Sequence, residues 1–352
     1  MSKIAILGDT HAGVRNASDV FADNAEKFYS ETFFPYLLEN DIKQIIHMGD
    51  YYDNRKVIAL KAINRNRKMF LEPLRENNIH MDIILGNHDV AYKNTNELNS
   101  LKELLGHYMD VVTIHMKPSI QDFGGFKVGL LPWINLENYD ESIDFIKNCK
   151  TDTLFGHLDL AGFDLMKGVV NQHGMDRKLF SRFENVYTGH FHTKSQQDNI
   201  TYLGSQMEFF WSDANDPKHF HILDTSTRDI TPIRNPHTLF HKIYYNEETT
   251  LKEDVPDVNN KFVKIIVEDR KDLFTFDKYV DKIQSQKIHD LKILESYEEF
   301  TGASVQDEDV SIEDTGTLLD TYVDAVETDL NKKILKTKLR SLLTEAETFD
   351  IM

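Results

Sequence analysis

Eight short apolar runs, most of them closed by a glycine or a polar turn, set the terms for this chain. They are KIAILG (3–8), KQIIHMG (43–49), MDIILG (81–86), VVTIHM (111–116), FKVGLLPW (126–133), TLFGH (153–157), NVYTGH (185–190) and ITYLGS (200–205). Each is of strand length and β-prone. Runs apolar on both faces suit strands covered on both sides. Amphipathic stretches at 22–39, 59–77 and 96–107 lie between them and read as helices. The alternation predicts an α/β fold with two sheets packed face to face.

Beyond about residue 237 the texture changes. TLFHKIYY (238–245), KFVKIIVED (261–269) and DLKILESYEE (290–299) read as strands, and LFTFDKYVDKIQ (273–284) as a helix. The expected division is a main domain over 1–236 and a small α+β domain over 237–300. TGASVQDEDVSIEDTGT (301–317) is polar, acidic and without large aromatics, as a linker would be. A tail, 318–352, follows, with a helix expected to about 346. Leu318, Leu319, Tyr322, Val323, Val326, Leu330, Ile334 and Leu335 recur at helical spacing. Its charge is split: Asp320, Asp324, Glu327 and Asp329 come first, and Lys332, Lys333, Lys336, Lys338 and Arg340 later. That order suits the helix macrodipole. The helix either packs on its own domain or docks in a partner's groove.

At 352 residues with 40% hydrophobic side chains, the chain can bury a substantial core. Its formal charge of -18 argues against gripping nucleic acid through a broad basic surface. Phosphate contact through bound cations, or through a basic partner, stays open. Cys149 is the single cysteine, which excludes an internal disulfide and a thiolate zinc site and fits a reducing compartment. No stretch approaches the roughly 20 apolar residues of a membrane span. The expectation is a soluble, cytoplasmic protein.

Five of the runs end in metal-competent residues: Gly8-Asp9-Thr10-His11, Gly49-Asp50-Tyr51-Tyr52-Asp53, Gly86-Asn87-His88-Asp89, Gly156-His157 and Gly189-His190-Phe191-His192. Taken singly, each has a plain alternative. GNHD can be a tight turn, and GHFH two polar residues at a bend. On an extended chain the two histidines of GHFH would face the same way, toward one ion. Ligands of open α/β sheets collect outside the carboxyl ends of strands, and all five clusters fall there. The donors Asp9, His11, Asp50, Asn87, His157, His190 and His192 are carboxylate, imidazole and amide without thiolate. Such a set suits manganese first, with iron, zinc or magnesium as alternatives. Seven donors are too many for one catalytic ion with an open position. Two ions sharing a carboxylate would clamp a phosphoryl group and acidify a water between them.

The five blocks together resemble the signature of the calcineurin-like metallophosphoesterases, over roughly residues 1–230. The resemblance implies a two-sheet αββα sandwich. It implies Asp50 as the bridging ligand, Asp9, His11 and His192 around one ion, and Asn87, His157 and His190 around the other. His88 would be the general acid. Within the family, Gly-Asp-aromatic-aromatic-Asp with Asp53 last, and Gly204-Ser205 closing a strand soon after GHFH, are similar to the SbcD-type DNA nucleases. Phosphoprotein phosphatases carry Arg-Gly after that Asp, where this chain has Asn54-Arg55.

The layout of small domain, linker and tail is similar to that of the recombination endonuclease subunits of T-even-type bacteriophages. For such a chain the compartment would be the host cytoplasm. The likeness implies a manganese-dependent DNA exonuclease and endonuclease. It also implies a homodimer within a heterotetramer, and an SbcC-like ABC-type ATPase bound through 318–352. A phosphomonoesterase or cyclic-nucleotide phosphodiesterase, and a non-catalytic scaffold of the ATPase complex, are the rival readings. Asp53, Asp89, Arg55, Arg15 and the basic run Arg65-Asn66-Arg67-Lys68 are candidates to support the site or meet substrate.

Overall fold

The structure is a computed structural model that describes residues 3–166 and 169–295, with single residues at 323, 332, 335, 336 and 339. Those five are helical; the linker 301–317 and the rest of the tail lie outside the described residues. The chain divides into two compact units, residues 1–241 with 260–262, and the remainder.

In chain order the strands are β1 (Lys3–Leu7), β2 (Gln44–His47), β3 (His80–Ile84), β4 (Val90–Tyr92), β5 (Thr95–Asn99), β6 (Val112–His115), β7 (Ser119–Phe123), β8 (Phe126–Leu131), β9 (Thr153–His157), β10 (Asp164–Met166), β11 (Val169–Val170), β12 (Asn185–Gly189), β13 (Ser195–Gln197), β14 (Ile200–Tyr202), β15 (His219–Asp224), β16 (Ile230–Arg234), β17 (Phe240–Asn246), β18 (Phe262–Asp269) and β19 (Asp290–Glu295). One six-stranded sheet has the order β16-β15-β1-β2-β3-β6, the other β13-β14-β12-β9-β8-β7. The neighbours β1, β2, β3 and β6 run parallel, as do β8, β9, β12 and β14. The sheets face each other through Ile4, Ile6, Ile46, Met48 and Ile84 on one side and Val128, Leu130 and Phe155 on the other. Helices cover both outer faces, Phe28, Phe33, Phe70 and Leu74 packing on the first sheet and Ile146 on the second. This is an α/β, four-layer αββα sandwich. Strands apolar on both faces are the result, and truncating Phe33 or Phe70 to alanine would cost about 3–5 kcal/mol.

The two long helical runs on the first sheet share a defect. Each widens into a π turn, Phe28–Phe33 and Arg67–Leu71, just before Pro35 and Pro73. A proline ring clashes with the carbonyl four residues back, and the wider turn relieves it. The expected helix at 96–107 is only partly formed. Thr95–Asn99 pairs with Val90–Tyr92 as a hairpin, and the helix is Ser100–Leu104. The Asn99 side chain accepts from Lys102 N at 2.8 Å, and this cap starts the helix there.

In the second unit, β17, β18 and β19 form a three-stranded sheet. The helix Leu273–Gln284 covers it, burying Phe276, Tyr279, Val280 and Ile283 against Ile243, Tyr245, Val263 and Ile265. Asp272 caps this helix by accepting from Thr275 N. Strand β19 is described to Glu295; residues 296–299 lie outside.

Candidate metal centre

The carboxyl ends of β1, β2, β3, β9 and β12 open toward one another, and the strand register brings their loops together. Leu7 pairs with His47, and Gly189 with His157. Asp9 N donates to Gly49 O at 3.1 Å and His11 N to Asp50 O at 3.0 Å, so the first two loops run side by side. Asp9, His11, Asp50 and His190 all hold positive φ, at 48°, 43°, 51° and 89°. Left-handed backbone at a non-glycine residue is costly and clusters at functional sites. Here it turns each side chain inward as its strand ends. Gly86 has no room for a side chain: a Cβ there would lie 2.1 Å from Asp50 Oδ1. Its absence lets the third loop close over Asp50, and His88 N donates to Asp50 Oδ1 at 2.8 Å.

Three groups of donors result: Asp9, His11 and His192; Asp50, His157 and His190; and a third that shares His11 with Asp53 and His88. Asn87 joins the second, its Oδ1 2.9 Å from His157 Nε2. Asp50 Oδ2 stands between the first two groups, 3.3 Å from His157 Nε2 and 3.9 Å from His11 Nε2. His11 Nε2 and His192 Nε2 are 3.1 Å apart. His190 and His192 do not share a face. The turn at His190 sends them to different groups, because the extended backbone that would align them ends at Gly189.

The donor chemistry fits divalent cations. His157 Nδ1 donates to Met48 O at 2.8 Å, which leaves the Nε2 lone pair facing two oxygen acceptors, Asn87 Oδ1 and Asp50 Oδ2. Asp9 Oδ2 is buried without a hydrogen-bond partner among the described residues. Burial pushes the Asp9 carboxyl up to about 6, partly countered by His157 and His11. Asp50 is held well below the usual carboxylate range: burial opposes its charge, but His157, His88 and His11 outweigh burial. At His11 and His157 burial again works against charge, yet Asp53, Asp50 and Asp9 push His11 up to about 9, and Asp50 and Asp9 do the same to His157. The pocket demands positive charge, and without bound cations two imidazoles would have to supply it as protons. His192 is pushed down by burial, with His11 and Lys218 adding to the effect.

Around these donors the other candidates take distinct places. His88 Nδ1 donates to Asp53 O, which engages one of its two ring nitrogens. Asp53 Oδ1 is 3.3 Å from His11 Nδ1, an ion-pair distance without hydrogen-bond alignment. Asp89 is buried behind the loops, accepting from Tyr51 N at 3.0 Å and Gly86 N at 2.8 Å. Burial pushes it up to about 7, with Asp50 adding to the rise. Arg15 donates to Phe209 O at 3.3 Å and lies over the Phe210 ring. Of the basic run, Arg65 is engaged with Asp19, Asp23 and Glu26, Arg67 with Glu72, and Asn66 with Tyr51. Arg55 is partly buried in the loop that follows Asp53.

Four further residues support the donors and were not singled out from the sequence. Lys218 is buried and donates to His192 O at 3.0 Å, Asp213 Oδ1 at 2.8 Å and Asp216 Oδ2 at 2.9 Å. Phe209 and Phe210 flank His192, Phe210 stacking on it at 5.7 Å. Trp133 lies against His190 and His157, with ring centroids 5.3 and 5.9 Å away. Only Trp133 had a legible cue, closing the run FKVGLLPW.

Residues 2–227 match the calcineurin-like phosphoesterase family. The chain belongs to that family. A calcineurin-like phosphoesterase is a hydrolase of phosphate esters, and the His/Asp groups described above could hold its divalent metal. This phosphoesterase is 32% identical over 347 residues to exonuclease subunit 1 of Enterobacteria phage T4, covering 98% of this chain and 99% of that one. Among solved structures, a novel archaeal phosphodiesterase is 16% identical and covers 66% of this chain and 99% of its own, with a TM-score of 0.34. A protein of unknown function from Aquifex aeolicus is 17% identical over 45% of this chain and 78% of its own, with a TM-score of 0.29. Among the described residues, no helix is long and apolar enough to cross a membrane.

Proposed function

We propose that this phosphoesterase is the nuclease subunit of a DNA-processing complex, hydrolysing phosphodiester bonds at two divalent ions, manganese for preference. The observation that carries the reading is Asp50 Oδ2 standing between two separate donor groups. Asp9, His11, Asp50 and His192 would hold one ion, and Asp50, Asn87, His157 and His190 the other. When bound, such a pair supplies positive charge at the phosphoryl oxygens and acidifies a water.

The chain's own residues do the rest. Asp50 is fixed by His88 N, which keeps one carboxylate oxygen toward both donor groups. His88, with Nδ1 engaged on Asp53 O, presents Nε2 to protonate the leaving oxygen or steady the charge that develops there. Cations bound at the centre reconcile DNA as substrate with the chain's acidity. Identity over almost the full length to a phage exonuclease subunit supports DNA as substrate and a partner as context. We assign 1–236 to the nuclease domain, 237–300 to a DNA-proximal cap, 301–317 to a linker, and 318–352 to the docking of an SbcC-like ATPase.

The test compares chelator-stripped protein with protein given manganese, on linear DNA, on bis-p-nitrophenyl phosphate and on p-nitrophenyl phosphate. Manganese-dependent cleavage of DNA and the bis-ester is expected. Turnover confined to the mono-ester would make the chain a phosphomonoesterase instead. Deleting 318–352 should abolish ATPase binding and spare cleavage of single strands; undiminished binding would remove the docking role.

A further inference from the structure

Beside the second donor group stands a wall built from two loops. One is the β4–β5 hairpin, the other the segment 133–139 that follows β8. Asn135 Nδ2 donates to Asn96 Oδ1 at 2.7 Å and Glu137 N to Asn94 O at 3.3 Å, which joins them. Trp133 sits at the inner edge of the wall. Its N donates to Leu85 O at 2.8 Å, and its O accepts from Asn96 Nδ2 at 3.1 Å and Asn138 Nδ2 at 2.9 Å. With both backbone groups engaged, the main chain that carries the indole is anchored before any ligand arrives. The indole is half-buried, packed in part on the core, with its ring edge-on to His157 and tilted against His190. Farther out the same loops expose Tyr92 (59%), Leu136 (86%) and Tyr139 (47%). Their only charged residues are Lys93, Glu97 and Glu137, a near-neutral strip on a chain of charge -18.

We propose that this wall binds unpaired nucleotides, with Trp133 stacking the base next to the scissile phosphate. The inference rests on the nuclease reading and adds to it the form of the substrate at the site. Stacking on a π face tolerates any base and needs no basic surface. That suits a strand which must reach metal-site histidines on an acidic protein. A paired base presents its edge in a groove, not its face, so the wall favours single strands or frayed ends over intact duplex.

The experiment measures steady-state cleavage by wild type, Trp133→Ala and Trp133→Phe, with manganese, on an oligothymidine, a blunt duplex and bis-p-nitrophenyl phosphate. Trp133→Ala is expected to raise KM for the oligothymidine about five- to a hundredfold. Its loss on the bis-ester should be clearly smaller than its loss on the oligothymidine, and Trp133→Phe should restore most of the lost affinity. In a Trp211→Phe background, oligothymidine should quench the remaining indole fluorescence. Equal losses on the oligothymidine and the bis-ester would overturn the proposal, because Trp133 would then only brace His157 and His190. So would an unchanged KM, or a shift from dimer to monomer on Tyr92→Ala with oligothymidine kinetics intact, which would make the wall a contact between copies. Wild type that cleaves the bis-ester but no DNA would instead sink the nuclease reading itself, and this inference with it.

Discussion

His11 meets a carboxylate behind it, Asp53 Oδ1 at 3.3 Å from Nδ1, whereas His157 meets a backbone carbonyl, Met48 O at 2.8 Å. The contrast extends across the two donor groups. His192 is braced through its carbonyl by the buried ammonium of Lys218, itself paired with Asp213 and Asp216. On the other side, the Trp133 ring lies against His190 and His157, and His190 N donates to the Asp9 carboxylate at 2.9 Å. His11 and His192 of the first group thus lean on charged side chains, and His157 of the second on the backbone of the sheet. A carbonyl at the end of a strand is held by the whole ladder. A side-chain carboxylate is held by its rotamer alone and can be lost to one substitution. The second group should therefore be the more rigid, and the first the more easily perturbed.

The harshest way to break the comparison is to remove what the two groups share. Asp50→Asn should lower phosphodiester turnover at least about a thousandfold and weaken manganese binding in both groups. Titration calorimetry with manganese would check it. If one tight ion were retained, Asp50 would belong to a single group and the shared-carboxylate reading would fail. His88→Ala is next in size. A lost general acid should cost about a hundred- to a thousandfold in kcat, with manganese stoichiometry unchanged. Unaltered DNA cleavage would remove His88 from the chemistry.

Much of this centre could be read from the chain because each donor closes a strand-like run. Gly8-Asp9, Gly49-Asp50, Gly86-Asn87, Gly156-His157 and Gly189-His190 all lie where β strands of the two sheets end. Periodicity and glycine placement carry that much. The split between His190 and His192 is set by one left-handed residue, and φ = 89° at a histidine has no local signature. Lys218 could not be foreseen either, since its tie to His192 spans 26 residues of sequence and ends on a backbone carbonyl. The 96–107 stretch misled because Leu98, Leu101, Leu104 and Leu105 recur at helical spacing even though the first of them lies in a strand. Hairpin pairing across Val90 outweighed that pattern.

Asp53→Asn tests the asymmetry directly. It leaves the Asp53 carbonyl for His88 and removes only the charge behind His11. One manganese site should weaken about ten- to a hundredfold while the other holds, giving two resolved binding steps in place of overlapping ones. A uniform loss at both sites would erase the distinction between charged and neutral support.

The smallest effect concerns the strap between the groups. His47 is buried; its Nε2 is 3.0 Å from Thr10 Oγ1, and its Nδ1 accepts from Gly49 N at 3.2 Å, so it ties the loop of Asp9 and His11 to that of Asp50. Burial pushes its imidazole down to about 3, against the pull of Asp50. The unfolded chain takes up this proton near pH 6.5 and the folded chain not until about 3. The stability that neutral His47 contributes is therefore complete above pH 6.5 and lost as pH falls from 6.5 toward 3, by up to about 1.4 kcal/mol per pH unit. His221, in β15, is pushed down to about 3 by burial as well, with Lys194 and His219 adding to the effect. Urea unfolding of chelator-treated protein between pH 7 and pH 5 should show a flatter pH dependence for His47→Gln and for His221→Gln alike. Only His47→Gln should also lower manganese affinity, because only His47 joins the two loops. Equal manganese affinity in both variants would mean that the donor groups keep their spacing without the strap, and that the sheet alone sets the distance between them.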